Sequence, residues 1–285
     1  MRAHKEGVLG TLYLVATPIG NLEDITLRAL RVLRDVSLIA AEDTRHTRKL
    51  LARYDIHTPT TSYFEHNKLA KLDAILAALE AGDVALVSDA GMPGISDPGY
   101  ELVRAALERG FPVVPVPGPS AIIAALAASG LPTDAFVYVG FLPRRAGERR
   151  KALESLRGER RTLILYEAPH RLLDTLGDIL ATLGDRPIAI ARELTKVHEE
   201  IWRGTVSEAL AHFTGHAPRG EFTLVIGGAA EPQAWSEAQV RAALAQRLAD
   251  GWSARDAASD VAARSGWPKR AVYRLALEPT ANERE

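Results

Sequence analysis

Three loops combine residue types suited to holding a small polar ligand. They are Thr17-Pro18-Ile19-Gly20-Asn21, Ser88-Asp89-Ala90-Gly91-Met92-Pro93-Gly94-Ile95-Ser96-Asp97-Pro98-Gly99, and Pro115-Val116-Pro117-Gly118-Pro119-Ser120. Glycines let a ligand approach the backbone, and prolines set the loop shape in advance. Asp89 is fit to accept hydrogen bonds from a ribose or an amino group, and Ser120 to cap a helix or bind a carboxylate. Loops of this composition also serve as plain tight turns, and the residues alone leave both uses open. Other chemistries find no support. No G-x-G-x-x-G, G-x-x-x-x-G-K-[ST], H-E-x-x-H or G-x-S-x-G occurs, which disfavours a nicotinamide site, a P-loop, a zinc hydrolase and a nucleophile elbow. No metal site is expected.

The elements that position these loops are legible from pattern. Short apolar runs at residues 11–16, 36–41, 84–88 and 113–116 read as buried strands, with Glu42-Asp43-Thr44-Arg45 following the second. Helical patterns lie between them: one capped by Asp24 or Thr26, one through Leu50 and Leu51, one at 69–80 and one at 100–109. This alternation predicts an α/β fold with a largely parallel sheet covered on both faces. Ligands of such sheets bind at the carboxyl ends of the strands, where all three loops fall.

Pro115, Pro117 and Pro119 make a natural hinge. A second α/β unit follows, with strand candidates at 136–141, 162–166, 188–191 and 222–227 and helices around 121–129, 147–157, 170–183 and 205–213. Glu231-Pro232 reads as a linker, and residues 236–277 are alanine-rich and helical by period. The expected organisation is an N-terminal α/β domain at 1–116, a second α/β domain at 117–230 and a helical segment at 235–280.

At 285 residues the chain exceeds ordinary single-domain length. The absence of cysteine excludes disulfides, thiolate metal sites and cysteine nucleophiles. The apolar stretch 9–19 is too short to span a bilayer and lacks a cleavage site, so no membrane association and a cytoplasmic location are expected. A net charge of -1 argues against bulk nucleic-acid binding. Its distribution says more. Arg144, Arg145, Arg149, Arg150, Lys151, Arg157, Arg160 and Arg161 face only Glu148, Glu154 and Glu159 over residues 144–161. That excess fits either a solvated helix face or a patch that contacts phosphates.

Several strings together resemble the ribosomal RNA small-subunit methyltransferase I family of the tetrapyrrole methylase superfamily. They begin with Leu12-Tyr13-Leu14-Val15-Ala16-Thr17-Pro18-Ile19-Gly20-Asn21-Leu22 and Ala41-Glu42-Asp43-Thr44-Arg45. The 88–99 loop, Pro117-Gly118-Pro119-Ser120 and Gly140-Phe141-Leu142-Pro143 follow, then Tyr166-Glu167-Ala168-Pro169-His170-Arg171, Ala191-Arg192-Glu193-Leu194-Thr195-Lys196 and Gly220-Glu221-Phe222. They run in the family's order across residues 11–228. The resemblance implies a two-domain tetrapyrrole-methylase-like fold with the donor in the cleft between domains. It implies methyl transfer from S-adenosylmethionine to the ribose 2′-hydroxyl of a cytidine in 16S ribosomal RNA, within the 30S subunit, by a homodimer. One position departs: Met92 stands where the family carries threonine, removing a hydroxyl but no backbone contact.

The same resemblance nominates residues. Asp43, Arg45, Glu167 and Lys196 are the catalytic candidates, with Glu42, Glu65, His66, His170 and Glu193 also at matching motifs. Asp43 and Arg45 would hold the target ribose and its phosphate, or else simply neutralise one another. Lys196 would meet the attacking oxygen or a phosphate. A ribose hydroxyl is a weak acid that a base would help to attack, yet no residue is singled out as that base. Donor contacts are expected from Pro18, Asp89, Ala90, Gly91, Ile95 and Ser120, with Phe141, Ala168 and Leu194 from the second domain. RNA contacts are expected from Arg144, Arg145, Arg149, Arg150 and Arg171.

The tail carries Ser236 as an N-cap, a stop at Gly251, and a turn at Ser265-Gly266-Trp267-Pro268 before a basic helix bearing Lys269, Arg270 and Arg274. It resembles a helix-turn-helix, and a small helical cap is the plainer alternative. Two other readings compete: a methylase of this fold acting on a tetrapyrrole or corrinoid precursor or on a protein, and a non-enzymatic RNA-binding protein. The basic excess speaks against the first, and the intact donor loops against the second.

Overall fold

The computed structural model describes residues 9–230 and 235–278. The chain divides into two compact units, residues 1–228 and 229–285. The Glu231-Pro232 step expected to act as a linker lies outside the described residues. No helix among them is long and apolar enough to cross a membrane.

Five strands from the first part of the larger unit form one sheet: β1 (Leu12–Val15), β2 (Leu38–Ala41), β3 (Thr60–Ser62), β4 (Val84–Val87) and β5 (Val113–Val116). Their order is β3-β2-β4-β1-β5 and every pairing is parallel. The intervening helices are α1 (Leu27–Asp35), α2 (Thr44–Arg53), α3 (Lys68–Ala81) and α4 (Tyr100–Glu108). Successive strand residues alternate faces, so a sheet covered twice needs strands that are apolar throughout. All four residues of β4 are buried. Val84 and Leu86 pack with Ile75, Leu76 and Leu79 of α3 and Leu102 of α4. Ala85 and Val87 pack on the other face with Ala29, Leu30 and Leu33 of α1 and Leu50 and Leu51 of α2.

The second sheet contains β6 (Phe136–Phe141), β7 (Thr162–Glu167), β8 (Pro187–Arg192), β9 (Glu200–Thr205) and β10 (Phe222–Ile226), in the order β6-β7-β10-β8-β9. Only β6 and β7 pair in parallel. The others are antiparallel, because β8 turns directly into β9 without the crossover helix that a parallel neighbour needs. Helices α6 (Ala146–Ser155), α7 (Leu172–Leu183) and α8 (Val206–Gly215) cover one face, and α5 (Ala121–Ser129) covers the other. Strands β3 and β9 were not anticipated from the sequence. Both are edge strands, and their Thr-Thr-Ser and Glu-Ile-Trp-Arg-Gly-Thr sequences carry the polar groups that edges tolerate.

A bulge between Tyr138 and Gly140 interrupts β6, and Gly140 takes φ +75°. A side chain at that φ is strained, so glycine suits the position. The extra residue resets the pleat, and Phe141 comes to share a face with Phe136 and Tyr138.

The smaller unit is a three-helix cluster of α9 (Glu237–Ala249), α10 (Ala254–Ser265) and α11 (Lys269–Ala276). Val240, Leu244, Ala257, Ala258, Val261 and Val272 form its core. Ser236 and Gln239 make a reciprocal cap at the start of α9.

Arg186 is the buried cation that closes the far end of the second sheet. It is 7% exposed, and it donates to the carbonyls of Leu183, Arg157, Glu159 and Gly227. Replacement Arg186→Met leaves those carbonyls without partners. Chemical denaturation is expected to show a loss of about 3 kcal/mol in unfolding free energy.

Candidate functional site

The loops that leave the first sheet at its carboxyl end are tied together before they meet any ligand. Thr17 and Gly91 exchange two backbone hydrogen bonds, at 2.9 and 3.0 Å, and the Thr17 hydroxyl donates to Ser88 O at 3.0 Å. Gly91 takes φ +77° in this bridge. A Cβ on Gly118 would lie 2.9 Å from Ala16 Cβ, so the loop after β5 packs closely against the loop after β1. The second sheet docks through Gly20, where a Cβ would lie 2.5 Å from Lys196 Cγ and 2.7 Å from Thr195 Oγ1. The Asn21 amide donates to that same Oγ1 at 3.0 Å. Glu193 and Thr195 hold φ +50° and +65° in the docking turn, an uncommon conformation for residues with side chains.

Between these loops and the second sheet lies a cleft of about 600 Å³. That is within the range of roughly 300–1,000 Å³ typical of small-molecule sites. Its walls are mostly apolar, with Ile19, Ile122 and Ile123 opposite Phe136, Phe141 and Phe222. Polar groups converge on it as Ser96, Asp97, Ser120, Tyr138, Tyr166 and Glu221. The Ser96 hydroxyl and the Tyr138 hydroxyl are 2.5 Å apart, joining the 88–99 loop to β6. Tyr166 stands edge-on to Tyr138, with ring centroids 5.4 Å apart. Among the described residues no cluster of His, Cys, Asp or Glu suits a metal ion.

Carboxylates crowd the strand ends beside the cleft. Glu42 accepts the Asp89 amide and Asp89 accepts the Asp43 amide, both at 3.1 Å, linking the ends of β2 and β4. Asp97 makes no ion pair among the described residues. Burial, and then the charges of Glu42 and Asp89, push its pKa up to about 7, against a smaller opposing effect of the Ser88 hydroxyl. Burial likewise raises Glu42. Asp43 is the opposite case. Arg45 binds it through the backbone amide at 2.8 Å and the guanidinium at 2.8 and 3.1 Å, which holds its carboxyl well below the usual range.

Of the expected donor contacts, Ala90, Gly91, Ile95, Ser120, Phe141, Ala168 and Leu194 line the cleft. Pro18 and Asp89 do not: Pro18 is buried in the strand-end packing and the Asp89 carboxylate is turned to the Asp43 amide. Ser120 also caps α5, accepting from the Ile123 amide at 3.5 Å.

The expected catalytic residues are dispersed. Glu167 borders the cleft but is only 2% exposed, and its oxygens accept from Ala168 N at 2.8 Å and Thr175 Oγ1 at 2.6 Å. Asp43 and Arg45 pair with each other outside the cleft lining. Lys196 bridges Glu193 at 2.8 Å and Glu221 at 3.1 Å. Burial opposes its charge, yet the two carboxylates outweigh that effect and raise its pKa, which favours the cation.

Two of the expected RNA contacts are engaged within the fold. Arg149 is 5% exposed and pairs with Asp178 at 2.6 Å. Arg171 donates to Leu142 O at 2.8 Å and Pro143 O at 3.2 Å, and faces Glu167 at 3.3 Å. Helical periodicity turns Arg149 inward from a run whose other members point out. Arg144, Arg145 and Arg150 are exposed, and Arg144 carries no ion pair among the described residues. The sequence reading did not single out Ser96, Asp97, Tyr138 or Tyr166. The two tyrosines look like ordinary strand residues, and the only signal for Asp97 was its place in the second loop.

The family of tetrapyrrole (corrin/porphyrin) methylases matches residues 11–210, and the RsmI C-terminal HTH domain matches residues 235–280. The chain is 52% identical to "Ribosomal RNA small subunit methyltransferase I" of Synechocystis sp. over 96% of this chain and 100% of that protein. It is 53% identical to the Thermotoga maritima protein of the same name, over 77% of this chain and 99% of the relative. Among solved structures, uroporphyrin-III-C-methyltransferase from Thermus thermophilus superposes with a TM-score of 0.55 at 26% identity, covering 76% of this chain and 94% of that one.

Two measurements check this description. Arg149→Met leaves Asp178 only its longer 3.5 Å contact with Arg150 and is expected to cost about 2 kcal/mol in denaturant unfolding. Asp97 is expected to set a pH dependence of stability. Its folded pKa near 7 lies above the unfolded value of about 3.9. The folded state therefore keeps a proton that the unfolded state has lost, and stability falls as pH rises from about 4 to 7. Asp97→Asn removes that term. Discounted for partial exposure, the variant should be more stable than wild type by about 1 kcal/mol at pH 8 and equal to it below about pH 4. Thermal melts across that range read the difference.

Proposed function

This chain belongs to the ribosomal RNA small subunit methyltransferase I family, and from that premise we propose that it methylates the ribose 2′-oxygen of a cytidine in 16S ribosomal RNA, with S-adenosylmethionine as donor. The observation that carries the proposal is identity of about half of all residues to ribosomal RNA methyltransferases along essentially the full chain. A methylase acting on a tetrapyrrole finds less support. The tetrapyrrole enzymes share the fold over about three quarters of the chain, whereas the rRNA methyltransferases extend over nearly all of it.

The cleft fits the donor. Its apolar walls suit an adenine ring, and Gly91 lets a ligand come close to the backbone. Ala90, Gly91, Ile95, Ser120, Phe141, Ala168 and Leu194 would hold it, and when bound it supplies a methyl group on a positively charged sulfur. Methyl transfer is an in-line displacement, so much of the acceleration comes from fixed geometry. The Thr17–Gly91 bridge and the Ser96–Tyr138 hydrogen bond supply that rigidity.

Arg144 and Arg145 follow the cleft-lining Phe141 by three and four positions and are exposed, which supports reading them as contacts to phosphates beside the target nucleotide. The substrate is read as the 30S subunit, the working enzyme as a cytoplasmic homodimer, and the helical unit as a further RNA contact through Lys269, Arg270 and Arg274, all three exposed.

Labelled S-adenosylmethionine and 30S subunits lacking ribose methylation test the reading, with label expected on one cytidine 2′-oxygen. The double variant Arg144→Glu, Arg145→Glu should weaken RNA binding with donor affinity unchanged. Its plot of log affinity against log salt should be shallower by roughly 1.5 to 2. Filter binding across a salt series measures both.

A further inference from the structure

The geometry points to Asp97 as the catalytic base that takes the proton of the attacking ribose hydroxyl, an inference that rests on the proposed function. Three carboxylates line the cleft: Asp97, Glu167 and Glu221. Glu167 is buried and committed to Thr175, Arg171 and the Ala168 amide. Glu221 is bound to Lys196, and its side chain is 80% exposed at the edge. Glu42, Asp89 and Asp43, at the neighbouring strand ends, do not line the cleft, and Asp43 is held ionised by Arg45, which makes it a poor proton acceptor. Among the described residues, Asp97 alone combines access to the cleft with freedom from an ion pair.

The loop that carries Asp97 is built to hold it still. Ser96, its neighbour, takes φ +63°, and the Ser96 hydroxyl is fixed on Tyr138 across the cleft. A Cβ on Gly99 would lie 2.9 Å from Gly94 N, so the loop closes tightly on itself behind the carboxylate. Strain of this kind is kept where position matters to function.

The surroundings tune the group for its task. Glu42 and Asp89 face Asp97 from β2 and β4, Ser88 lies beside it, and Tyr138 and Tyr166 face it from the second sheet. Both tyrosines are pushed up by burial and remain neutral hydroxyls. Burial and the two carboxylates bring Asp97 to about 7, and a general base works best with a pKa near the operating pH. In the step, the 2′-O–H bond breaks and its proton passes to an Asp97 oxygen. The oxygen lone pair forms the bond to the methyl carbon, and the carbon–sulfur pair leaves with sulfur as a neutral thioether. Asp97 then returns its proton to water.

The test uses full-length Asp97→Asn with 30S subunits. We expect kcat to fall by about 10²- to 10⁴-fold, while donor and RNA Kd, by calorimetry and filter binding, stay within about threefold. Wild-type kcat should rise with pH through an inflection near 7 that the variant lacks, and Asp97→Glu should recover part of the rate. A readout independent of turnover is the carboxyl ¹³C titration of Asp97 in the ligand-free wild type, expected to inflect near 7; a value near 4 overturns the inference even if the variant fails to fold. Loss of donor affinity with kcat preserved would make Asp97 an ion partner of the donor and overturn it too. Wild-type enzyme that labels no cytidine sinks the proposed function and this inference with it. Transfer that survives Asp97→Asn sinks the inference alone.

Discussion

The two backbone hydrogen bonds between Thr17 and Gly91 hold the loop after β1 against the loop after β4. Everything on the cleft floor depends on that union. β1 and β4 are neighbours in the sheet, so their carboxyl ends emerge side by side, and a parallel sheet offers its exposed backbone groups there. With the loops bridged, Gly91, Ile19 and Asp97 belong to one surface instead of two separate segments. The Gly20–Thr195 approach then sets the second sheet over that surface, and the cleft is what lies between.

Charge in this region is managed by pairing in one place and by withholding a partner in another. Asp43 receives Arg45, and Lys196 receives Glu193 and Glu221, so each charge sits beside its opposite. Asp97 receives none among the described residues, and it feels the charges of Glu42 and Asp89. Like charges in a partly dry site cannot all ionise cheaply, and one of them must hold its proton. The uneven distribution of cations, more than any single contact, gives the cleft a group able to exchange a proton near neutrality. The same logic divides the arginines after Phe141: one turns in to Asp178 as scaffold while its neighbours stay at the surface.

The sequence alone determined the secondary elements that bury apolar residues. β4 reads as a strand because all of its residues are apolar, and α3 and α7 read as helices because their apolar residues recur on one face. It also determined the three glycine- and proline-rich loops and their places at strand ends, since backbone conformations of that kind restrict residue type locally. Edge strands β3 and β9 escaped because an edge needs no apolar pattern.

Tertiary structure decided the rest. Whether Arg149 meets phosphate or Asp178, and whether Glu167 meets substrate or Thr175, depends on groups 29 and 8 positions away that no local pattern names. Asp97 is the clearest case. Its residue type and loop were visible from the start, but the property that sets it apart comes from Glu42 and Asp89 brought beside it by strand order, and from a cleft wall supplied by the second sheet. Local sequence fixes which groups exist and how the backbone bends near them; the energy of a charge depends on what surrounds it, and only the packed chain supplies those surroundings.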